Sequence, residues 1–168
     1  MTETLSDVLP DEIEAMTHRL LEEACDKKLM LATAESCTGG LLGSLLTDVQ
    51  GASHAFERGF IVYTNEAKSE LLGIPASLIE AEGAVSRPVA IAMAQGALDH
   101  SRADIALAVT GFAGKGNEDD EVGLVHVACA RRGRETRHRE EHFGDIGRGP
   151  IRIACMRTAL KMLEEALG

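Results

Sequence analysis

Residues 33–40, TAESCTGG, combine candidate nucleophiles with a glycine-rich backbone. An apolar run precedes them and a helical pattern follows, so the sequence predicts a strand end that leads into a helix. A helix N-terminus offers unpaired N–H groups and a partial positive charge. Ser36 is the first candidate nucleophile, and Cys37 is its rival because a thiol at a helix N-terminus has a lowered pKa. The alternative is that Ser36 or Thr38 only caps the helix.

A second polar group surrounds the predicted start of another short helix. Tyr63 ends a strand pattern, Asn65 is predicted to cap the helix, and Lys68 falls in its first turn. The helix dipole and partial burial there both favour a neutral amine, which can act as a base. Serine–lysine pairs are an established alternative to the Ser-His-Asp triad. The alternative for Lys68 is an ordinary solvated lysine.

A third polar strand end comes at Thr110, after the apolar segment 104–109. Gly111, Gly114 and Gly116 follow it in a second glycine-rich loop. The hydroxyl of Thr110 is expected at the same sheet edge as Ser36, because the strand ends of open α/β sheets converge on a ligand crevice. The alternative is a turn residue that satisfies the local backbone.

Histidines and cysteines give no metal pattern. His138 and His142 are four residues apart without a third ligand in view, and the cysteines, scattered at Cys25, Cys37, Cys129 and Cys155, have no metal or CxxC spacing. We therefore expect no metal and no other cofactor. We expect no signal peptide, and no apolar run comes near the ~20 residues that span a membrane. A reducing cytoplasm is the expected location, without a membrane partner.

The composition predicts one domain with an aliphatic core. The chain has 168 residues, of which 45% are hydrophobic but only 3% aromatic. Its formal net charge of −10 argues against a nucleic-acid partner, which requires a basic face. The basic cluster at residues 131–139 is diluted by glutamates and is interpreted as a solvated hairpin.

The elements alternate in a way that predicts a three-layer α/β/α domain with a mixed sheet. The first ten residues are expected to be frayed, and a capping signal at Asp11 starts a helix that runs to about residue 27. Ser86 starts a longer helix. The remaining predicted elements are strands at 29–34, 56–63 and 104–109, helices at 40–49, 65–72 and 75–81, a hairpin of 122–131 with 135–143, and a last helix from about Pro150.

Four motifs stand together in the order found in the CinA C-terminal domain family, which the chain resembles from about residue 20 to the last helix. They are Glu35-Ser36-Cys37-Thr38-Gly39-Gly40, Tyr63-x-Asn65-x-x-Lys68, Gly83-Ala84-Val85-Ser86 and Val109-Thr110-Gly111-x-Ala113-Gly114. The family takes its name from a competence/damage-inducible protein and includes nicotinamide mononucleotide deamidases.

The resemblance implies metal-free hydrolysis of the carboxamide of nicotinamide mononucleotide to nicotinate mononucleotide and ammonia. Ser36 would be the nucleophile and Lys68 its general base, with Tyr63 and Thr110 as supporting hydrogen-bonding groups. The backbone of residues 38–40 would hold the oxyanion or the phosphate. The substrate-contacting residues would be Thr38, Gly39, Gly40, Asn65, Gly111, Gly114 and Arg148.

Two segments depart from the family pattern. Lys115-Gly116-Asn117 and an acidic run replace a loop with proline after Gly114, and Arg148 is displaced from the Gly-Asp pair at 144–145. An arginine in this region is expected to bind the ligand phosphate. These changes keep open a second hypothesis, a catalytically weak nucleotide-binding or regulatory module. A third hypothesis, action on DNA, rests only on the family's name. A homodimer is a weak expectation from oligomer statistics.

Overall fold

A mixed five-stranded sheet runs through the computed structural model, which describes residues 9–168. The strand order is β2-β1-β3-β4-β5; β1 lies parallel to β2 and β3, and the last three strands are antiparallel. The strands are β1 (Leu31–Glu35), β2 (Phe56–Ile61), β3 (Ile105–Gly111), β4 (Leu124–Arg131) and β5 (Arg137–His142). The mixed sheet predicted from the alternation of elements is thus confirmed. The predicted fraying concerns mainly residues 1–8, which lie outside the described residues.

Six helices in this range cover the two faces of the sheet. They are α1 (Asp11–Asp26), α2 (Leu41–Thr47), α3 (Asn65–Leu72), α4 (Ala76–Glu82), α5 (Arg87–Asp99) and α6 (Arg148–Leu167). Helices α1, α2 and α6 pack with Leu31, Ile105 and Leu107 on one face. Helices α3, α4 and α5 pack with alanines of β1 and β3 on the other. The three-layer α/β/α prediction is correct.

Small residues let the second layer approach the sheet closely. Side chains alternate between the faces of a strand, and the face toward α5 carries alanines at Ala32, Ala34, Ala106 and Ala108. Helix α5 in turn contacts the end of α3. A Cβ on Gly96 of α5 would lie 2.3 Å from the carbonyl oxygen of Leu72, the last residue of α3. This contact holds α3, which carries Lys68, against α5.

Several predicted boundaries and caps need correction. Thr64, not Asn65, caps α3, because its side chain accepts a hydrogen bond from the N–H of Ala67. Pro10 precedes α1 without any side-chain cap, so the signal at Asp11 does not act as one. Ser86 does cap α5, as predicted. β1 begins two residues later than expected and extends to Glu35, and β2 ends at Ile61.

The strand register places Ser36 beside Thr110. Glu35 lies opposite Val109 in the parallel β1–β3 pair, and the N–H of Ser36 donates to the Val109 carbonyl at 3.0 Å. Residues that lie opposite each other in paired parallel strands point their side chains to the same face, so Ser36 and Thr110 both lie on the side that holds α3 and α5.

Among residues 9–168, no helix has the length and apolar composition that a bilayer span requires.

Candidate active site

Ser36 and Lys68 meet at the carboxyl end of β1. The Nζ atom of Lys68, in the first turn of α3, lies 3.2 Å from the Oγ atom of Ser36. Ser36 is 8% exposed and Lys68 only 1% exposed, so the lysine is not the solvated side chain that was the alternative interpretation. A serine hydroxyl and a buried amine are therefore within hydrogen-bonding distance.

The surroundings of Lys68 favour its neutral form. Its Nζ also contacts the carbonyl oxygens of Val62 at 3.0 Å and Tyr63 at 3.3 Å. Among the described residues, no carboxylate forms an ion pair with it. Burial without such a partner lowers the pKa of Lys68, although negative charge on Cys37 would act in the opposite direction.

Glu35 holds the loop that carries Ser36. Its buried carboxylate accepts hydrogen bonds from the Thr38 hydroxyl at 2.7 Å and from the N–H groups of Leu42 at 2.7 Å and Gly43 at 2.9 Å. It therefore satisfies the first turn of α2, whose N-cap position is Gly40. Neither Ser36 nor Thr38 caps this helix, which excludes the capping interpretation. Sequence reasoning assigned Glu35 no role.

The backbone of the loop is only partly available for a ligand. The N–H of Gly39 donates to the Ser36 carbonyl at 3.2 Å, so it does not serve as a donor in this conformation. Within residues 9–168, the N–H groups of Thr38 and Gly40 have no acceptor. Gly39 and Gly40 have φ values of 58° and 98°, which L side chains rarely adopt. The glycines thus let the chain turn sharply beside Ser36.

Arg152 is a site residue that sequence reasoning missed. It lies on α6, and its Nη2 donates to the Thr38 carbonyl at 2.6 Å. Its buried Nε has no partner among the described residues. The signal in the sequence was its position four residues after Arg148, which places both arginines on one face of the helix.

Tyr63 and Asn65 enter the site differently from the prediction. Tyr63 contributes its backbone carbonyl to Lys68, while its side chain is 66% exposed and its phenol makes no hydrogen bond within residues 9–168. The side chain of Asn65 is also exposed, at the start of α3. Both remain at the rim, and the structure brings neither side chain onto Ser36.

Thr110 and Gly111 are engaged in the fold. The buried Thr110 hydroxyl donates to the Ala84 carbonyl at 2.9 Å, which ties the segment before α5 to the end of β3. A Cβ on Gly111 would lie 2.7 Å from Val125 and 2.9 Å from the Leu124 carbonyl. Gly111 is needed for close strand packing, and its contact with a substrate stays a prediction.

Arg148 and Gly114 lie together despite the displacement seen in the sequence. Arg148 begins α6 and is exposed, and a Cβ on Gly114 would lie 3.6 Å from its Nη1. The start of α6 therefore brings one arginine to the loop after β3 and a second, Arg152, to the loop after β1. Two guanidinium groups are available at this edge for an anion.

The histidines form pairs rather than a metal cluster. His126 and His138 stack with Nδ1 of the first 2.9 Å from Nε2 of the second, and His142 pairs with Glu121 and Glu140. Burial lowers the pKa of both His126 and His138. Within residues 9–168, no group of three or more His, Cys, Asp or Glu side chains is arranged so that it could hold a metal ion.

Comparison with known proteins covers nearly the whole chain. The family model described as CinA C-terminal domain matches residues 13–167. A CinA-like protein of Geobacter sulfurreducens is 44% identical over 171 residues, which cover 98% of this chain and 40% of that protein. A CinA-like protein of Syntrophus aciditrophicus is 44% identical over 159 residues, covering 94% and 37%. The chain thus spans about two fifths of the length of these curated relatives.

Solved structures of similar length have the same fold. The competence/damage inducible protein CihA of Agrobacterium tumefaciens is 46% identical with a TM-score of 0.91, over 96% of this chain and 99% of that one. A CinA superfamily protein of Escherichia coli is 32% identical with a TM-score of 0.86, over 95% and 94%. Their names refer to competence and damage and state no substrate.

Proposed function

The chain belongs to the CinA C-terminal domain family, and on that premise we propose that it is an amidohydrolase for nicotinamide mononucleotide. The products would be nicotinate mononucleotide and ammonia. The observation that carries the proposal is the 3.2 Å contact between Ser36 Oγ and the buried Nζ of Lys68. An amide needs a strong nucleophile, and this contact supplies a base for the serine hydroxyl.

The contacts of Lys68 direct the lone pair of its neutral amine toward Ser36. As an ammonium group, Lys68 would donate to Ser36 and to the carbonyls of Val62 and Tyr63. After it loses one proton, the two carbonyls retain its two N–H groups because carbonyl oxygens only accept. The lone pair is then left for Ser36, whose hydroxyl donates to it. This arrangement prepares Ser36 to transfer its proton as it attacks the amide carbon.

The remaining steps use groups beside the pair. As the tetrahedral intermediate forms, the unpaired N–H groups of Thr38 and Gly40 would donate to its oxyanion, and one such donor is typically worth about 3–4 kcal/mol. Protonated Lys68 then donates to the leaving nitrogen, and ammonia departs. Water attacks the resulting ester with neutral Lys68 as its base, which releases the acid and restores Ser36.

The arginines at the start of α6 suit the phosphate of the substrate. Arg148 is exposed beside Gly114, and Arg152 reaches the loop that carries Ser36. Guanidinium groups bind phosphate with paired hydrogen bonds. We assign Arg148 to the phosphate and Arg152 first to the loop, because its Nη2 is already engaged with Thr38.

The proposal is tested by incubating the purified protein with nicotinamide mononucleotide and measuring nicotinate mononucleotide and ammonia, with and without a chelator. We expect turnover in both conditions, none with Ser36→Ala, and loss of most activity with Lys68→Ala. Cys37→Ala should remain active, because Cys37 is the rival nucleophile that the lysine contact does not favour. Ligand-dependent thermal stabilisation without product would support the binding-module hypothesis instead.

A further inference from the structure

We propose that an arginine-lined cavity beside the free edge of β5 binds a small anion that carries a diphosphate group. The cavity has a volume of about 450 Å³ and is bordered by the β4–β5 hairpin, α5 and α6. Its described lining includes none of the residues assigned to the hydrolytic site. The proposal therefore does not depend on the proposed amidohydrolase activity.

The cavity lies at an edge of the sheet that no other strand covers. β5 is the last strand in the order, so within residues 9–168 no strand pairs with its outer side. Arg87 lines the cavity from α5 on one face of the sheet, and Met162 and Glu165 line it from α6 on the other. The outward N–H groups of an edge strand are hydrogen-bond donors that the sheet does not use. Backbone and side-chain donors are thus combined at one place.

Positive charge exceeds negative charge in the lining of this cavity. In the described part of the chain, five arginines and two glutamates border it, a surplus of three positive charges. The arginines are Arg87, Arg131, Arg134, Arg137 and Arg139. The whole chain has the opposite sign, with a formal net charge of −10. Like charges around one cavity repel each other, so a bound anion would lower the free energy of this cluster.

The carboxylates nearby neutralise only part of this charge. Arg137 and Arg139 both form ion pairs with Glu165, so two guanidinium groups share one carboxylate. The guanidinium of Arg131 donates to the Ala166 carbonyl, which carries no net charge. These contacts hold three arginines at the end of α6 and leave positive charge uncompensated.

Arg87 and Arg134 are the arginines most available to a ligand. Both are exposed, and among residues 9–168 neither forms an ion pair. A guanidinium group binds phosphate oxygens through a planar fork of N–H donors. Because these two arginines lie on different elements, α5 and the turn between β4 and β5, they suit a ligand with two phosphate groups rather than one.

The size and charge of the cavity favour a small diphosphate over a larger partner. Its volume falls in the range of roughly 300–1,000 Å³ that is usual for small-molecule sites. A second copy of this chain would bring the same positive surplus to its own β5, so pairing of the two edges is disfavoured. The negative net charge of the chain opposes an extended nucleic acid. The diphosphate group can belong to inorganic pyrophosphate or to a nucleoside diphosphate.

Isothermal titration calorimetry of the full chain, in a buffer free of phosphate, tests the site with inorganic pyrophosphate and with ADP. We expect both to bind, and to bind at least about 10-fold more weakly to Arg87→Ala and to Arg134→Ala, because each variant loses charge-assisted hydrogen bonds. Arg102→Ala is the matched control, since Arg102 is exposed and lies outside the cavity, and its Kd should equal that of the wild type. Tighter binding of ADP than of pyrophosphate would assign the site to a nucleoside diphosphate, and the reverse order would assign it to the free anion.

Arg148→Ala separates this cavity from the proposed substrate site, where an anion can also bind. Unchanged affinity for pyrophosphate in this variant would support the cavity beside β5. Loss of binding in Arg148→Ala but not in Arg87→Ala or Arg134→Ala would overturn the proposal. Absence of both binding heat and thermal stabilisation up to about 1 mM of either anion would also overturn it. So would binding of a glutamate-rich peptide without binding of pyrophosphate.

Discussion

Arg152 and Thr38 are 114 positions apart in the chain, yet the guanidinium of the first donates to the carbonyl of the second at 2.6 Å. Through this bond, the C-terminal helix holds the loop that carries Ser36. The loop is fixed from its other side by Glu35, which accepts from the Thr38 hydroxyl. Thr38 is therefore held by both side chain and backbone, two residues after the proposed nucleophile.

Replacement of Arg152 by lysine should lower kcat about 10-fold with little change in KM. Lysine keeps the charge but lacks the planar fork of donors, so the Thr38 carbonyl loses its partner and the loop shifts. The measurement is steady-state hydrolysis of nicotinamide mononucleotide. Arg157→Lys is the matched control, because Arg157 lies on the same helix in a surface pair with Glu12 and should change neither constant.

Whether kcat or KM changes distinguishes a positioning role of Arg152 from phosphate binding. If Arg152 mainly binds the phosphate, Arg152→Lys should raise KM for the mononucleotide and leave the corresponding nucleoside unaffected. That result would contradict the positioning role. A loss of kcat on both substrates would support it, because the loop geometry matters to each.

Replacement of Glu35 by glutamine should destabilise the protein by about 2–3 kcal/mol, because hydrogen bonds to charged groups are worth more than neutral ones. Three donors converge on the carboxylate, and the amide nitrogen of glutamine cannot accept from any of them. Urea unfolding monitored by circular dichroism measures the change. Glu66→Gln, at an exposed position of α3, should change stability by less than ~0.5 kcal/mol. Equal effects of both variants would refute the capping role of Glu35.

Local sequence patterns were sufficient to predict the mixed sheet and the proposed pair of Ser36 and Lys68. A local pattern predicts the strand before Ser36, and another predicts the short helix around Lys68. Parallel strands have their carboxyl ends at one edge of the sheet, so the residues that follow these ends lie close together. Thr64 was missed as the cap of α3 because Asn65 beside it is of a more strongly preferred N-cap residue type. The sequence pattern therefore favoured the wrong neighbour.

Contacts between distant segments could not be predicted in this way. The Arg152–Thr38 bond depends on the packing of α6, and nothing near either residue indicates the other. Tyr63 was expected to act through its phenol, but the structure uses its carbonyl, which every residue type possesses. The close strand packing at Gly111 was not predicted, because glycines mark both ligand loops and tight strand packing.

The rate of hydrolysis should rise with pH and level off below the pKa of an ordinary lysine. Burial lowers the pKa of Lys68 from its usual 10.5, and only the neutral amine accepts the proton of Ser36. The dependence of kcat/KM on pH, followed from about pH 6 to about pH 10, reports this group in the free enzyme. A rate independent of pH in this range, or one that still rises at its upper end, would contradict a buried lysine base.

Lys68→Met should change how stability depends on pH. A lysine whose pKa is lowered in the native state binds fewer protons there than in the unfolded chain, so stability increases with pH between the lowered pKa and 10.5. The loss of stability that buried Lys68 causes is complete below its lowered pKa, and it disappears as the pH approaches the pKa of lysine in the unfolded chain. Methionine does not titrate, so the stability of the Lys68→Met protein relative to the wild type should be more favourable at neutral pH than near pH 10.

Urea unfolding of both proteins across this pH range measures the difference. The comparison is informative even though methionine leaves the Val62 and Tyr63 carbonyls without the amine, because that loss does not depend on pH. Lys161→Met is the control for the loss of a lysine, since Lys161 is exposed on α6 and its removal should change stability by less than ~0.5 kcal/mol. A stability difference between wild type and Lys68→Met that stays constant with pH would show that Lys68 titrates alike in the folded and unfolded chain.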